Sequence, residues 1–248
     1  MAHARRLLHL AWLLPLLLVL LAVWGVRSGR IVIPEAWNPW APLRIGAAPN
    51  LLTRFKLSRA SADPEACQAA LAQAAMKRMP MEDRVTGPGC GFVNAVRIER
   101  TSVAVGEPFS LSCRAALSLA MWERHALQDA ALAHLGSRVE SMEHFGSYAC
   151  RNLYGEEDRR RSQHATADAL DIAGFVLADG RRIRVVADWQ PRAQATDAGD
   201  AASSPEARFL RAVHAGACHY FDAVLGPDYN RAHADHFHFD RGAARICR

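Results

Sequence analysis

The chain has 248 residues, of which 50% are hydrophobic and 22% charged, a composition that excludes an intrinsically disordered protein. Four of the 30 basic residues lie in residues 1–30, which contain no acidic residue, so the rest of the chain carries 26 basic and 25 acidic residues. The one compact basic cluster, residues 159–161, directly follows three acidic residues. This near-neutral balance excludes nucleic acid as a partner that is recognised by charge.

The N-terminus contains an uncharged apolar run from Leu7 to Val26. About 20 such residues can just cross the hydrocarbon core as a helix, whereas a cleaved signal peptide usually has a shorter run and a small-x-small cleavage site. We therefore predict a transmembrane signal anchor over residues 1–30, with a cleaved signal peptide as the alternative. Arg5 and Arg6 favour a cytoplasmic N-terminus. The expected location is the inner membrane, single-pass, with the remaining chain extracytoplasmic (periplasmic).

The segments after the anchor are predicted from their composition and periodicity. Residues 31–60 contain four prolines and little periodicity, which indicates an extended connector. Asp63 and Pro64 begin a helix, and residues 93–98 and 102–105 alternate like short strands. The Ala/Leu-rich stretch Cys113–Leu135 predicts the best helix, ended by Gly136, and two strands follow over residues 138–142 and 147–151.

The C-terminal third has a similar mixture of elements. Residues 169–177 and 182–187 predict a strand hairpin with a turn at Asp179-Gly180. Residues 191–204 predict a surface loop, and further segments predict a helix to about residue 221 and a strand over 236–240. Residues 61–248 are thus expected to form one α+β domain, with a small and mainly antiparallel sheet flanked by helices.

Cysteine usage agrees with export. Six cysteines follow the anchor, and an even number in an exported domain indicates three disulfides. Fifteen pairings are possible, and order along the chain suggests pairing nearest neighbours: Cys67–Cys90, Cys113–Cys150 and Cys218–Cys247. No C-x-x-C spacing occurs, so a zinc knuckle of thiolates is not indicated.

Two segments carry the residue types of a metal site. In a strand, His236, His238 and Asp240 lie on one face, while Phe237 and Phe239 lie on the other, where they can enter the core.

In the other segment, residues 162–171, Asp171 begins an apolar strand, where a carboxylate is costly to bury unless it is paired or bound to a metal. Two imidazoles and a carboxylate suit Zn²⁺ and leave a fourth position open for catalysis. Asp235, His236 and Arg151 are available as base and as oxyanion donor. The alternative is accidental clustering among eleven histidines.

Residues 162–171 resemble the Ser-x-His-x-x-Gly-x-Ala-x-Asp signature of zinc D-alanyl-D-alanine carboxypeptidases and dipeptidases. These enzymes share a fold with lysostaphin-type endopeptidases and the hedgehog signalling domain. The resemblance implies that His164, Asp171 and His238 hold the zinc.

A second resemblance covers about residues 60–248 and is to the bacterial extensin-like C-terminal domain family. It is carried by several blocks in order, namely residues 147–151, 162–165, 169–175, 209–211, 217–218, 224–227 and 235–238.

The sequence departs from the peptidase pattern at two positions. Ala167 stands where the signature has Gly, and Asp235 replaces the Glu expected three residues before the final His. Because Asp is one methylene shorter, His236 could be the base instead, like the first imidazole of His-x-His in the endopeptidases. Arg151 resembles the family's substrate- or oxyanion-stabilising Arg, with a surface Arg as the alternative. Ser162 could contact substrate or cap the turn before His164.

The resemblance implies a zinc-dependent amidase or carboxypeptidase of peptidoglycan peptides in the cell envelope. One alternative is a non-catalytic envelope or cell-wall-binding module that keeps zinc for structure. Another is a purely structural disulfide domain. The sequence leaves the oligomeric state open.

Overall fold

The structure, a computed structural model, describes residues 2–190 and 203–248, with side chains described from residue 14 onward. The chain divides into two compact units, and the boundary in the sequence lies between Ala41 and Pro42. The first unit contains helix α1 (Ala2–Arg27) and a 3₁₀ turn (Glu35–Trp37). Of the helices searched in the described part, none has both the length and the hydropathy that a membrane span requires. The anchor therefore stays a prediction. Most of the predicted loop 191–204 lies outside the described residues.

The second unit begins earlier in the chain than the sequence indicates. Leu43 and Ile45 are buried in the core, and residues Thr53–Ala62 form helix α2. The prediction of an extended connector is therefore wrong for residues 53–60. This helix buries only Lys56, Leu57 and Ala60, which is too few apolar positions to produce a helical period in the sequence.

The remaining helices follow their capping signals closely. Helix α3 (Pro64–Leu71) is capped by Asp63, whose Oδ1 accepts the Ala66 amide at 2.9 Å. The predicted long helix consists of α4 (Cys113–Trp122), a π-helical turn (Glu123–Leu127) and α5 (Gln128–Leu135). It ends at Gly136, whose φ of 66° is the left-handed conformation that glycine adopts easily. A short helix α6 and a longer α7 follow, over Val185–Asp188 and Pro205–Ala217.

Within residues 2–190 and 203–248 the strands form three small sheets. Five strands lie between α3 and α4 in the chain: β1 Lys77–Pro80, β2 Arg84–Gly87, β3 Cys90–Phe92, β4 Ala95–Arg100 and β5 Phe109–Ser112. They give a three-stranded sheet in the order β1-β4-β5 and a β2-β3 hairpin.

Six strands form the central sheet: β6 Val139–Gly146, β7 Ala169–Leu177, β8 Arg182–Arg184, β9 Ala223–Leu225, β10 Phe237–Asp240 and β11 Ile246–Cys247. Their order is β11-β9-β10-β7-β6, with β8 also paired to β7. Every strand pair in these sheets is antiparallel except β11–β9, which confirms an α+β protein with small, mainly antiparallel sheets.

Some predicted elements differ from the structure. In the predicted strand 102–105, Ala104 makes only an isolated bridge to Ser141. Residues 147–151 form a loop, because Ser147 Oγ donates to the Ser110 carbonyl and the Ala149 amide donates to the His164 carbonyl. The helix predicted to reach residue 221 ends at Ala217.

The core lies between the central sheet and the helices packed on it. Phe237 and Phe239 are fully buried, and the Phe239 ring meets Trp122 edge-on at 5.3 Å. This confirms the predicted alternation in β10, because the aromatic side chains pack inward while the polar side chains of the strand bond one another. Burial of two Phe side chains stabilises this strand by roughly 1.5–3 kcal/mol each, so the polar face is held by a rigid strand.

The structure contains three disulfides, with a pairing that differs from chain order. They are Cys67–Cys113, Cys90–Cys150 and Cys218–Cys247. Only the last agrees with the predicted pairing. Nearest-neighbour pairing fails because α3 packs against the start of α4, which brings Cys67 to Cys113. The hairpin carrying Cys90 is joined instead to the loop after β6.

The two pairings predict different products for a single substitution. In Cys67→Ser, we expect Cys113 to become the free thiol, while Cys90 and Cys150 stay paired. Alkylation followed by non-reducing peptide mapping would identify the thiol. Loss of the bridge should lower the free energy of unfolding by about 2–5 kcal/mol. Alkylation of Cys90 in this variant would contradict the observed pairing.

Glu123 lies at the start of the π-helical turn and is only 3% exposed. Its Oε2 accepts the Ser102 amide at 3.0 Å and the Ser102 hydroxyl at 2.6 Å, while Oε1 has no partner among the described residues. Burial raises the pKa of this carboxyl, although the Ser102 hydrogen bonds oppose the shift.

Because the pKa is raised, the folded protein holds this proton more tightly than the unfolded chain, and stability is lost as pH rises through the folded pKa. The free energy of unfolding of Glu123→Gln minus that of the parent should therefore be larger at pH 8 than at pH 5, by about 1 kcal/mol or more. Urea unfolding at both pH values measures this difference. The exposed Glu140→Gln is the control, and equal differences at both pH values would refute the prediction.

Candidate metal centre

Strand register brings two of the predicted ligands together. His238 on β10 lies directly opposite Asp171 on β7 in the antiparallel pair. His164 lies on a 3₁₀ turn (Gln163–Thr166) that precedes β7, and this turn is capped by Ser162, whose Oγ accepts the His164 amide. Two strands and one capped turn therefore position the three side chains.

The three side chains converge on one point. His238 Nδ1 lies 2.9 Å from Asp171 Oδ1, and His164 Nε2 lies 3.1 Å from Asp171 Oδ2. The facing nitrogens of the two rings are 3.2 Å apart. His164 and His238 are buried, and the side chain of Asp171 is 13% exposed. The structure thus brings together the three residues that the resemblance implies as ligands.

The far nitrogen of each ring has its own acceptor. His164 Nδ1 lies 3.2 Å from the Ser147 carbonyl, and His238 Nε2 lies 3.0 Å from Asp240 Oδ2. A carbonyl only accepts, so His164 carries its proton on Nδ1 and directs the lone pair of Nε2 toward Asp171. Metal-bound histidines almost always have such an outer partner, which orients the ring.

A proton on His238 offsets part of the negative charge of the neighbouring carboxylates. Burial opposes that charge, but hydrogen bonds to Asp171 and Asp240 outweigh it and raise the pKa of His238 to about 9. Burial likewise opposes ionisation of Asp171, yet the two imidazoles hold the pKa of its carboxyl well below the usual range. With its Nδ1 proton directed at the Ser147 carbonyl, a neutral His164 turns the Nε2 lone pair toward Asp171 Oδ2, 3.1 Å away. Such a contact needs a cation between the two atoms, which is either a proton or a metal ion.

The geometry fits a small divalent ion. Zinc bonds of about 2.0–2.1 Å in a tetrahedron place neighbouring ligand atoms roughly 3.3 Å apart. The two ring nitrogens lie 3.2 Å apart, and each lies 2.9 or 3.1 Å from its nearer Asp171 oxygen. Among the described residues, three side chains converge here, so a tetrahedral ion bound to one atom of each would keep one position for water or substrate.

His236 and Asp235 form a pair beside this cluster. His236 Nδ1 lies 2.8 Å from Asp235 Oδ1, and its Nε2 lies 3.6 Å from Asp171 Oδ1. The carboxylate therefore holds the proton on Nδ1 and leaves Nε2 toward the centre. Asp235 itself is half-exposed, so between the two predicted bases the geometry favours His236, with Asp235 orienting it.

Two other predicted site residues lie differently. Arg151 is exposed, and none of its side-chain contacts in the described part reaches His164, Asp171 or His238. Ser162 is buried and caps the turn of His164, which supports the capping alternative over substrate contact. Ala167 ends that turn in the left-handed conformation, with φ 54°. The peptidase signature has Gly at this position, a residue that adopts this conformation easily.

Sequence reasoning missed His233. Its ring lies 5.3 Å from the ring of His236 and 5.8 Å from that of His238. Asn230 Oδ1 accepts the Ala232 amide, which fixes the orientation of that side-chain amide, and it lies 2.7 Å from His233 Nδ1. Burial, together with His238 and His236, lowers the pKa of His233 to about 4. The available signal was the His-x-x-His spacing ahead of His238.

A second group of potential ligands, His214, Cys218 and Cys247, also lies close together. Its two cysteines form a disulfide and so offer no thiolate. The His164–Asp171–His238 cluster is therefore the candidate metal centre within the described residues.

The fold and site define a disulfide-bonded α+β domain with a His–Asp–His cluster at the paired strands β10 and β7 of its central sheet. Comparison with family profiles matches residues 65–248 to the family described as extensin-like protein C-terminus. The chain belongs to this family. Comparisons with curated proteins and with solved structures gave no match.

The carboxylate behind His238 can be tested separately from the ligands. Asp240 orients the ring through Nε2, and Asp240 Oδ1 also accepts the Gly242 amide. Asp240→Asn should weaken zinc binding by about 10- to 100-fold, measured by chelator competition. Asp179→Asn, on an exposed turn, is the matched control. Equal affinity for both variants would show that Asp240 has no part in the centre.

Proposed function

We propose that the domain is a zinc-dependent amide hydrolase of the cell envelope that acts on peptidoglycan peptides. The observation that carries this proposal is the convergence of His164, Asp171 and His238 on one point. The other nitrogen of each ring has its own acceptor, the Ser147 carbonyl for His164 and Asp240 for His238. Metal-bound histidines have such outer partners, so the arrangement supports a bound metal ion.

In this proposal His164, Asp171 and His238 hold the zinc. A bound zinc would polarise a carbonyl and make water a stronger nucleophile near neutral pH. His236, oriented by Asp235, accepts a proton at Nε2 and returns it to the leaving nitrogen.

His233 presents a neutral ring with its proton on Nδ1, so its Nε2 is a second acceptor near His236. Arg151 stays the predicted oxyanion donor: its side chain is exposed, and its carbonyl accepts the amide of Ser162, two residues before His164.

The proposed location outside the cytoplasm rests on two features. Three disulfides in 248 residues suit an oxidising compartment. The apolar run from Leu7 to Val26 supplies the proposed anchor in the inner membrane. A periplasmic domain tethered there would meet peptidoglycan peptides as its nearest polymeric amide substrate.

Two substitutions separate metal binding from chemistry. His238→Ala should lose stoichiometric zinc and all chelator-sensitive cleavage of muropeptides, because a tetrahedral site cannot spare one of three protein ligands. His236→Ala should keep zinc but lose about 10²- to 10⁴-fold in kcat, since it removes only the base. Metal analysis by mass spectrometry and chromatography of muropeptide digests provide the two readouts.

His134→Ala, on helix α5 away from the cluster, is the matched histidine control for both readouts. Stoichiometric zinc that persists in His238→Ala would overturn the ligand assignment. Bound zinc without cleavage of any muropeptide would favour the alternative function, a zinc-containing binding module of the envelope. Absence of zinc from the parent protein would favour a purely structural disulfide domain.

A further inference from the structure

An aromatic side chain projects at the end of β6, next to the cluster. In the pairing of β6 with β7, His144 lies opposite Ile172 and Gly146 lies opposite Asp171, with a register shift between them. Phe145 is the extra residue of this bulge. Its ring is 62% exposed and meets the ring of His236 edge-on, at 5.7 Å between centroids. The bulge therefore places an exposed aromatic ring beside the candidate base.

A second exposed aromatic residue, Tyr154 on the loop after β6, is linked to His233 through Asn230. Tyr154 has φ 57°, an unfavourable conformation for a residue with a side chain, and it is 51% exposed. Its hydroxyl accepts from Asn230 Nδ2 at 3.0 Å, and Asn230 Oδ1 accepts from His233 Nδ1 at 2.7 Å. One residue thus separates the Tyr154 hydroxyl from His233, whose ring lies 5.3 Å from that of His236.

Neither irregularity is explained by packing. Both rings remain largely in solvent, so the bulge at Phe145 and the left-handed backbone at Tyr154 gain little burial in return. Bulges and residues with positive φ concentrate at functional sites, where they direct a side chain toward a ligand. Exposed aromatic rings also supply most of the contact energy where ligands bind.

We propose that Phe145 and Tyr154 form an aromatic rim that binds the substrate of this site beside its scissile amide. The proposal rests on the proposed function and adds the substrate contacts to it. The two rings carry no charge, and the Tyr154 hydroxyl is already bonded to Asn230. The rim therefore binds the apolar C–H face of its ligand, which in a muropeptide belongs to an alanyl methyl group or to a hexosamine ring.

Kinetics with a soluble muropeptide and the zinc-loaded full chain test the rim. Phe145→Ala and Tyr154→Ala should each raise KM by about five- to tenfold, the effect of losing one aromatic contact. Their kcat should stay within about threefold, and zinc content should be unchanged. Tyr154→Phe keeps the ring and removes only the bond to Asn230, so its KM should stay close to that of the parent.

Leu132→Ala is the control, because Leu132 is a similarly exposed apolar side chain on α5. Unchanged KM in both alanine variants would overturn the proposal. A KM for Tyr154→Phe as high as that for Tyr154→Ala would also overturn it, because the hydroxyl and not the ring would then matter. The same series on the free stem peptide, without its disaccharide, shows which C–H face is bound: a persisting effect assigns the rim to the peptide, and a lost effect assigns it to the sugar.

Binding measured without turnover separates this inference from the proposed function. Muropeptide titrations followed by NMR report affinity whether or not the amide is cleaved. Weaker binding in both alanine variants, with no cleavage by the parent, would support the rim while the hydrolase proposal fails. Normal cleavage and normal affinity in both variants would overturn the rim and leave the hydrolase proposal intact.

Discussion

The buried Asp171 carboxylate, held between two imidazoles, is the interaction on which the rest of the site depends. An unpaired carboxylate at the start of an apolar strand would cost several kcal/mol. Here each oxygen meets one ring nitrogen, at 2.9 and 3.1 Å. Because Asp171 and His238 are register partners on neighbouring strands, a slip of one strand by one residue would turn one of the two side chains to the opposite face and destroy the site.

The surroundings of Asp171 show how a rigid core supports a polar centre. Phe237 and Phe239 fix β10 from the inside, while Asp240 and the Ser147 carbonyl orient the two imidazoles from the outside. Ser147 comes from a loop whose end is joined to the β2–β3 hairpin by the Cys90–Cys150 disulfide. The outer acceptors of the candidate metal centre therefore come from the sheet and from a disulfide-bonded loop, which favours a preorganised site.

The proposed roles of the four histidines follow from the hydrogen-bond partners of their ring nitrogens. His164 and His238 each have an outer acceptor and an inward nitrogen, as metal ligands do. His236 and His233 each have a polar partner at Nδ1. Their Nε2 atoms do not take part in the close contacts with Asp171 that His164 and His238 make. Four imidazoles near one carboxylate can thus take different roles, because their environments differ rather than their chemistry.

Strand alternation in residues 236–240 and the apolar run after Asp171 predicted β10, β7 and the polar face between them, because a period of two is a local property of the chain. Caps at Asp63 and Gly136 were equally local. The disulfide pairing and the helix over residues 53–62 depended on packing between segments far apart, which no local pattern records. Tertiary structure alone also left the side chains of Arg151 and Asp235 exposed and placed His236 beside Asp171, since a shared point in space is decided only when the turn, the strands and the loop pack together.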